Sequence, residues 1–453
     1  MTLVLSTTAV LGLARYLVGA PADVPLDVAG DFVVRVAPCD TDVGGVHLRL
    51  TRPVELRVDP PRTVEVRAEE HRNVPVFRAD AAPWMWDAKL KGVLTREATT
   101  PARNRLRPDS VVAHLDAPDG PVLELGKDYA FDGTWGTLGC VEGGRVGENS
   151  TLYFDYAYDL SRIDAVAALL DGTVALIEGV PDIATPRPPD LPEGAARIAN
   201  VSVPGRLERL MSENLYPILE DAYPEPERAV PSMAERLLPA TMAKLRSGEP
   251  LKILAWGDSV TVGTFVPDPA TQRWQEQFVA RLKARFPKAT IELDTAAWGG
   301  RNMRSFLDEP PGSEFNYREK VLGSGADLIV MEFVNDLGLD PAGVESQYGE
   351  RLAELRQAGI EWAILTPHYI MPEWMGMTSE RGGDAGDPRP YVAGVRAFCA
   401  KHDVALADAA LRWGRLWRQG IPYMTLMHNA INHPDERGMK LFADALMELF
   451  PPE

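Results

Sequence analysis

"LKILAWGDSVTVGTFV", residues 251–266, opens as an apolar run of strand length and breaks abruptly at Gly257-Asp258-Ser259. A short apolar run bounded by a turn reads as a strand buried in a parallel sheet. Gly257 permits a tight bend, and Asp258 can accept backbone N–H groups and organise the loop. Ser259 then falls at the start of a helix, where free N–H groups and the helix dipole favour negative charge. Gly-Asp-Ser alone is common in plain turns. Its position after a buried strand singles it out.

The segments that follow repeat the same alternation. "TQRWQEQFVARLKARF" carries Trp274, Phe278, Leu282 and Phe286 at helical spacing. "TIELDTAA" and "ADLIVMEFV" read as strands, "YGERLAELRQAG" as a helix, "EWAILTP" as a strand, "YVAGVRAFCAKH" as a helix and "VALADA" as a strand. "RGMKLFADALMELF" closes the chain as a helix. Alternating strands and helices imply right-handed crossovers and a parallel sheet covered on both faces. Active sites of such sheets lie beyond the carboxyl ends of the strands, where Ser259 falls.

The first third has another rhythm. Val46, Leu48 and Leu50 alternate with His47 and Arg49; Val54, Leu56 and Val58 alternate with Glu55 and Arg57; Val64 and Val66 flank Glu65. Period two, broken by Pro53 and Pro60-Pro61, predicts antiparallel strands with one buried face, joined by "PVLELGKDYAF" and "STLYFDYAYDL". The expected domains are therefore a β-sandwich-like unit over 1–180, a connector over 181–250 and an α/β domain over 251–453. The connector contains the proline-rich "PDIATPRPPDLPEG", a short strand "ARIANVSV" and a helical stretch "GRLERLMSENLYPILEDAY".

Composition narrows the function classes. The net charge of -18 argues against a nucleic-acid surface or a polybasic membrane anchor. The three cysteines are far apart and form no C-x-x-C pair, so neither a disulfide framework nor a zinc site is expected. No H-E-x-x-H or G-x-x-x-x-G-K is present, and "GSGADLIV" precedes a strand instead of following one. Neither a metal nor an organic cofactor is expected. No apolar run reaches the ~18 residues of a membrane span. "MTLVLSTTAVLGLARYLVGAPA" has no basic residue ahead of its apolar part, which Arg15 interrupts, so a cytoplasmic chain is the expectation.

Three further segments end strands or precede a helix on the same sheet edge. "DTAAWGGRNMRSFL" holds Gly299 and Gly300, whose bare N–H groups can approach a ligand, although a simple strand-to-helix turn has the same pattern. "LIVMEFVNDLG" ends in Asn335-Asp336; an Asn amide there donates either to an oxyanion or within an Asx turn. "MHNAINHPDERGMKLFADAL" places His433 before Pro434, with Asp435 as a helix N-cap. A histidine fixed at such a junction suits a general base for serine.

In this order the four segments resemble the SGNH (GDSL-type) hydrolase superfamily, over about Leu251 to Phe450. "GDSVTVG" matches its first block with Ser259 at the nucleophile, "GGRN" its second with Gly300 as a backbone oxyanion donor, "VNDLG" its third with Asn335 as side-chain donor, and "NHPDERG" its last with His433 as base. The resemblance implies a three-layer α/β/α, flavodoxin-like sheet and ester hydrolysis through an acyl-enzyme, with no cofactor. The oxyanion would be held by the N–H groups of Ser259 and Gly300 and the Asn335 amide. Two departures stand out. Phe333 occupies the place of the usual Gly in the third block, and Ala430 that of the acid three residues before the histidine. Asp435 is set aside as the helix cap; Glu332, a backbone carbonyl or a water remain as ways to orient His433, and no acid is assigned.

His368, in "LTPHYIMPEWM", and His428 compete as base, and His368 and Trp374 are expected to contact substrate. The aromatic loop and the β-rich companion favour an acyl ester of a carbohydrate, an acetylated saccharide above all. A lipase or acyltransferase using the same serine, and a glycan-binding protein without catalysis, are the alternatives.

Overall fold

The computed structural model describes residues 24–452 except 87, 148 and 228. The N-terminal stretch on which the expectation of a cytoplasmic chain rests lies outside the described residues. At the C-terminus five parallel strands, β1 (Pro250–Gly257), β2 (Thr290–Ala297), β3 (Leu328–Glu332), β4 (Glu361–Leu365) and β5 (Ala405–Ala407), form one sheet in the order 2-1-3-4-5. Every residue of β3 is buried, as expected for a strand covered on both faces. Edge strand β2 instead keeps alternate polar residues outward, and its Asp294 pairs with Lys252 at 2.7 Å.

The helices Trp274–Arg285 and Glu436–Glu448 pack on each other, as do Pro341–Ala358 and Pro390–His402. The β1-to-β2 crossover runs opposite to the β3-to-β4 crossover, so right-handed connections put the two helix pairs on opposite faces. The core between them is aromatic: Trp256 meets Phe306 and Phe333 edge to face, and Phe278 packs on Phe450. This is the three-layer arrangement the sequence predicted.

The N-terminal half is antiparallel as expected, but it holds two apolar cores instead of one sandwich. The first lies between the sheet Leu26–Gly30, Val33–Val36, Val54–Arg57 and the sheet Val174–Ile177, Arg162–Ala168, Ala196–Val203, Leu215–Pro217. Val34, Val36, Leu48, Val166, Val201 and Val203 fill it. The second belongs to a lobe inserted between Val58 and Arg162. There Thr63–Arg72 and Leu106–Leu115 flank Thr151–Asp159 over Leu90, Leu138, Leu152 and Phe154.

Three sequence expectations need correcting. The boundary at residue 180 cuts a sheet, because Ala196–Val203 pairs with Arg162–Ala168. The helix expected over residues 205–223 is absent: Ser212–Asn214 makes one 3-10 turn and Leu215–Pro217 joins the same sheet. Burial of Leu215 and Tyr216 against that sheet overrides the local helical pattern. Helices Met233–Leu237 and Pro239–Ser247 then contribute Ala234, Leu238, Met242 and Leu245 to the α/β core, so that domain begins ahead of residue 251.

Candidate active site

β1 ends at Gly257 for a steric reason. A Cβ there would stand 2.1 Å from Thr261 Oγ1 and 2.4 Å from the Glu332 carbonyl oxygen. Asp258 follows, fully buried, and accepts from Val260 N at 3.0 Å and from Asn335 N at 2.9 Å. One carboxylate thus caps the Ser259–Val262 helical turn and ties it to the end of β3. Ser259 opens that turn with 7% of its surface exposed.

His433 lies 174 positions away, in the loop before the Glu436–Glu448 helix, and its Nε2 is 2.8 Å from Ser259 Oγ. Asp435 caps that helix, accepting from Arg437 N and Gly438 N. Phe265 meets the imidazole edge to face, with centroids 5.0 Å apart. Burial, with a smaller contribution from His428, pushes the His433 pKa down to about 4.

Position 429 was overlooked in the sequence. Asn429 Oδ1 accepts from the backbone N–H groups of Ile431, Asn432 and His433 at 3.0, 2.8 and 2.9 Å. Its Nδ2 lies 2.7 Å from His433 Nδ1 and 2.8 Å from Asn432 Oδ1. Ala430 has a φ of 54°, and this left-handed residue folds the loop so that the side chain four residues before His433 reaches the ring. In sequence, "HNAINHP" shows only an amide four residues before the histidine, and nothing in that spacing marks the turn that brings it to the ring.

The second and third blocks converge on the same edge. A Cβ on Gly299 would sit 3.7 Å from Ser259 Cβ, and Gly300 has a φ of 72°. Asn335 Nδ2 donates to the Arg301 carbonyl at 3.1 Å, joining the two loops. Among the described residues neither the Ser259 nor the Gly300 N–H finds an acceptor. Phe333 fills a core position against Trp256 and Phe306.

Behind the nucleophile lies a group of buried acids. Burial raises Asp258 to about 7 and Asp336 to about 6, and Asp336 accepts from Tyr348 Oη at 2.8 Å. Glu332 is raised well above the ordinary carboxylate range by burial and by Asp258. It accepts from Thr261 Oγ1 at 3.3 Å, and its Oε1 has no partner among the described residues. Glu332 therefore serves the strand end and not His433.

His368 is placed differently from expectation. It is 0% exposed, so no substrate reaches it, and its Nε2 donates to the Asn432 carbonyl at 2.6 Å. Burial pushes it down to about 3, which keeps the ring neutral. His428 is also buried, 3.6 Å from Glu97. Trp374 is 40% exposed and meets Trp84 of the inserted lobe, which in turn meets Trp135. Trp135 packs with Met371 and Ile431, the latter in the histidine loop. Beside this contact a cleft of about 500 Å³ opens between the halves, lined by Arg103, Arg105, Arg206, Glu373, Glu380 and Ala430. Glu380, half-buried there, is raised to about 7 by the loss of solvent around it.

Residues 255–441 match the model of the GDSL-like lipase/acylhydrolase family. No curated protein matches the chain. Among solved structures, a two-domain esterase (CEX) active on acetylated mannans is similar at 16% identity and a TM-score of 0.36. The match covers 46% of this chain and 51% of that one, so this chain spans about half the length of that structure. Axe2, an acetylxylan esterase from Geobacillus stearothermophilus, is similar at 16% identity and a TM-score of 0.36, over 45% of this chain and 95% of that one. LAE5, an α/β hydrolase enzyme from the metagenome of Lake Arreo, Spain, is similar at 18% identity and a TM-score of 0.34, over 44% of this chain and 93% of that one. The family match coincides with the strand ends that gather Ser259, Gly300, Asn335 and His433: the C-terminal domain is a GDSL-like lipase/acylhydrolase domain.

Proposed function

We propose that the protein hydrolyses short acyl esters, acetyl esters of a saccharide in particular, with Ser259 as nucleophile and His433 as base. The observation that carries this reading is the 2.8 Å approach of His433 Nε2 to Ser259 Oγ at the C-terminal edge of the sheet. As Ser259 Oγ attacks the carbonyl carbon, its proton passes to His433 Nε2. The tetrahedral oxyanion then faces the N–H groups of Ser259 and Gly300 and the second hydrogen of the Asn335 amide. His433 returns the proton to the leaving alcohol, and the acyl group rests on Ser259. Water attacks the acyl-enzyme by the reverse route. The Trp84–Trp374 pair supports a saccharide, since an exposed indole face stacks on a sugar ring.

The test compares wild type with Ser259→Ala on p-nitrophenyl acetate, butyrate and octanoate and on acetylated xylan. The expected result is a loss of turnover of about 10³ or more in the variant, with acetate the preferred acyl group. Equal rates remove Ser259 from the mechanism. A preference for octanoate moves the reading to a lipase or acyltransferase.

A further inference from the structure

We propose that Asn429 is a positioning residue that holds the His433 imidazole with its proton on Nε2, the tautomer opposite to the one a general base needs. The inference rests on the reading of Ser259 and His433 as the reacting pair. Its core is a count of donors and acceptors. Three backbone N–H groups converge on one terminal atom of the Asn429 amide, and only the oxygen can accept them. The other terminal atom is therefore the NH₂ group, which has donors only, and it stands 2.7 Å from His433 Nδ1. Asn432 Oδ1, at 2.8 Å from the same nitrogen, takes its second hydrogen.

Nδ1 must then offer its lone pair. A neutral imidazole with a bare Nδ1 carries its proton on Nε2, so the 2.8 Å contact is His433 donating to Ser259 Oγ. Abstraction of the serine proton needs a lone pair on Nε2. The imidazolium formed during attack would also point an Nδ1–H at the Asn429 NH₂. Both the base form and the charged form are opposed by the same amide. In a Ser-His-Asp triad the carboxylate sets the other tautomer, and an amide in its place lowers turnover by about 10⁴. Hydrolysis by this protein accordingly runs through the minority of molecules in which the Asn429–His433 contact is broken.

A carboxylate at this position keeps the three N–H bonds on one oxygen and turns the other into an acceptor for Nδ1–H; the Asn432 amide turns over to donate. Asn429→Asp is therefore expected to raise kcat on p-nitrophenyl acetate at pH 7 by about 10²- to 10⁴-fold, and to lose that gain when combined with Ser259→Ala. The same variant moves the acid limb of the pH–rate profile upward, because a carboxylate favours the imidazolium. Nitrogen-15 NMR of histidine-labelled wild type, with His433→Ala to assign the resonances, is expected to show a pyridine-type Nδ1 and a pyrrole-type Nε2 at pH 7. A protonated Nδ1 in the wild type overturns the proposal. So, where the wild type cleaves esters, does an Asn429→Asp protein that melts with it but turns over no faster. If neither protein cleaves esters, the NMR result still decides the tautomer and only the proposed activity falls.

Discussion

At the scale of single residues the site is set by what surrounds His433. Burial lowers its pKa to about 4, so the ring stays neutral far into acid. A group whose cationic form is disfavoured stays neutral as pH falls, until its own pKa is reached. The log of kcat/KM for p-nitrophenyl acetate is thus expected to stay flat from pH 7 down to about pH 5 and to drop near pH 4, not near the ~6.5 of a free imidazole. Ser259 and His433 were legible in the sequence because each belongs to a short motif anchored to a strand or helix end. Asn429 was not, because its role depends on the left-handed backbone of Ala430, which spacing alone does not reveal. His368 was misplaced for a related reason. Its position at the end of β4 is readable, but its contact with the Asn432 carbonyl, and hence its burial, is a tertiary fact.

At the scale of elements, the ends of β1 and β3 meet under the nucleophile. A methyl group on Gly257 would run into Thr261 and the Glu332 carbonyl, and it has nowhere to go because one of these neighbours is backbone. Gly257→Ala is expected to cost about 1–3 kcal/mol in urea unfolding and to lower turnover with it. Glu332 gives a prediction of opposite sign. Its folded pKa lies above its unfolded value, so its contribution to stability is complete below about pH 4 and is lost as pH rises toward the folded value. Replacing it by Gln removes that loss; Glu332→Gln is expected to raise the melting temperature more at pH 8 than at pH 5, measured by circular dichroism. The α/β elements were legible because strands buried on both faces and amphipathic helices have distinct periods. The stretch at 205–223 was not, since its charged helical pattern is outweighed by pairing of Leu215–Pro217 with a distant strand.

At the scale of the whole molecule, the two halves meet over the histidine loop. Arg103 pairs with Glu373 at 2.6 Å, Arg187 pairs with Glu436, and Asn200 Nδ2 donates to the Gly420 carbonyl at 2.7 Å. Trp84 carries the inserted lobe to Trp374 at the mouth of this contact. Trp84→Ala is expected to raise KM for an acetylated xylo-oligosaccharide about three- to tenfold, a loss of about 1 kcal/mol of aromatic contact, while leaving p-nitrophenyl acetate kinetics unchanged. An equal effect on both substrates would assign the tryptophan to packing. That a β-rich unit precedes the hydrolase domain was readable from period-two patterning. That it is one lobe nested inside another was not, because local patterning does not say which strands pair with which.

The nesting has a consequence for how the chain is made. Asp159 pairs with Thr63, and the Thr63 hydroxyl donates to the Asp159 carboxylate at 2.7 Å, so the inserted lobe begins and ends at one point. Its last strand leaves the ribosome before Arg162–Ala168 and Ala196–Val203, the central strands of the host sheet. Once folded, the lobe shrinks a gap of some hundred residues to a short hop, and the entropy of closing that gap is removed before the host strands need to find one another. Pulse-labelled amide exchange during refolding should therefore protect Thr151–Asp159 ahead of Val33–Val36, and simultaneous protection of the two would mean that host and guest assemble as one.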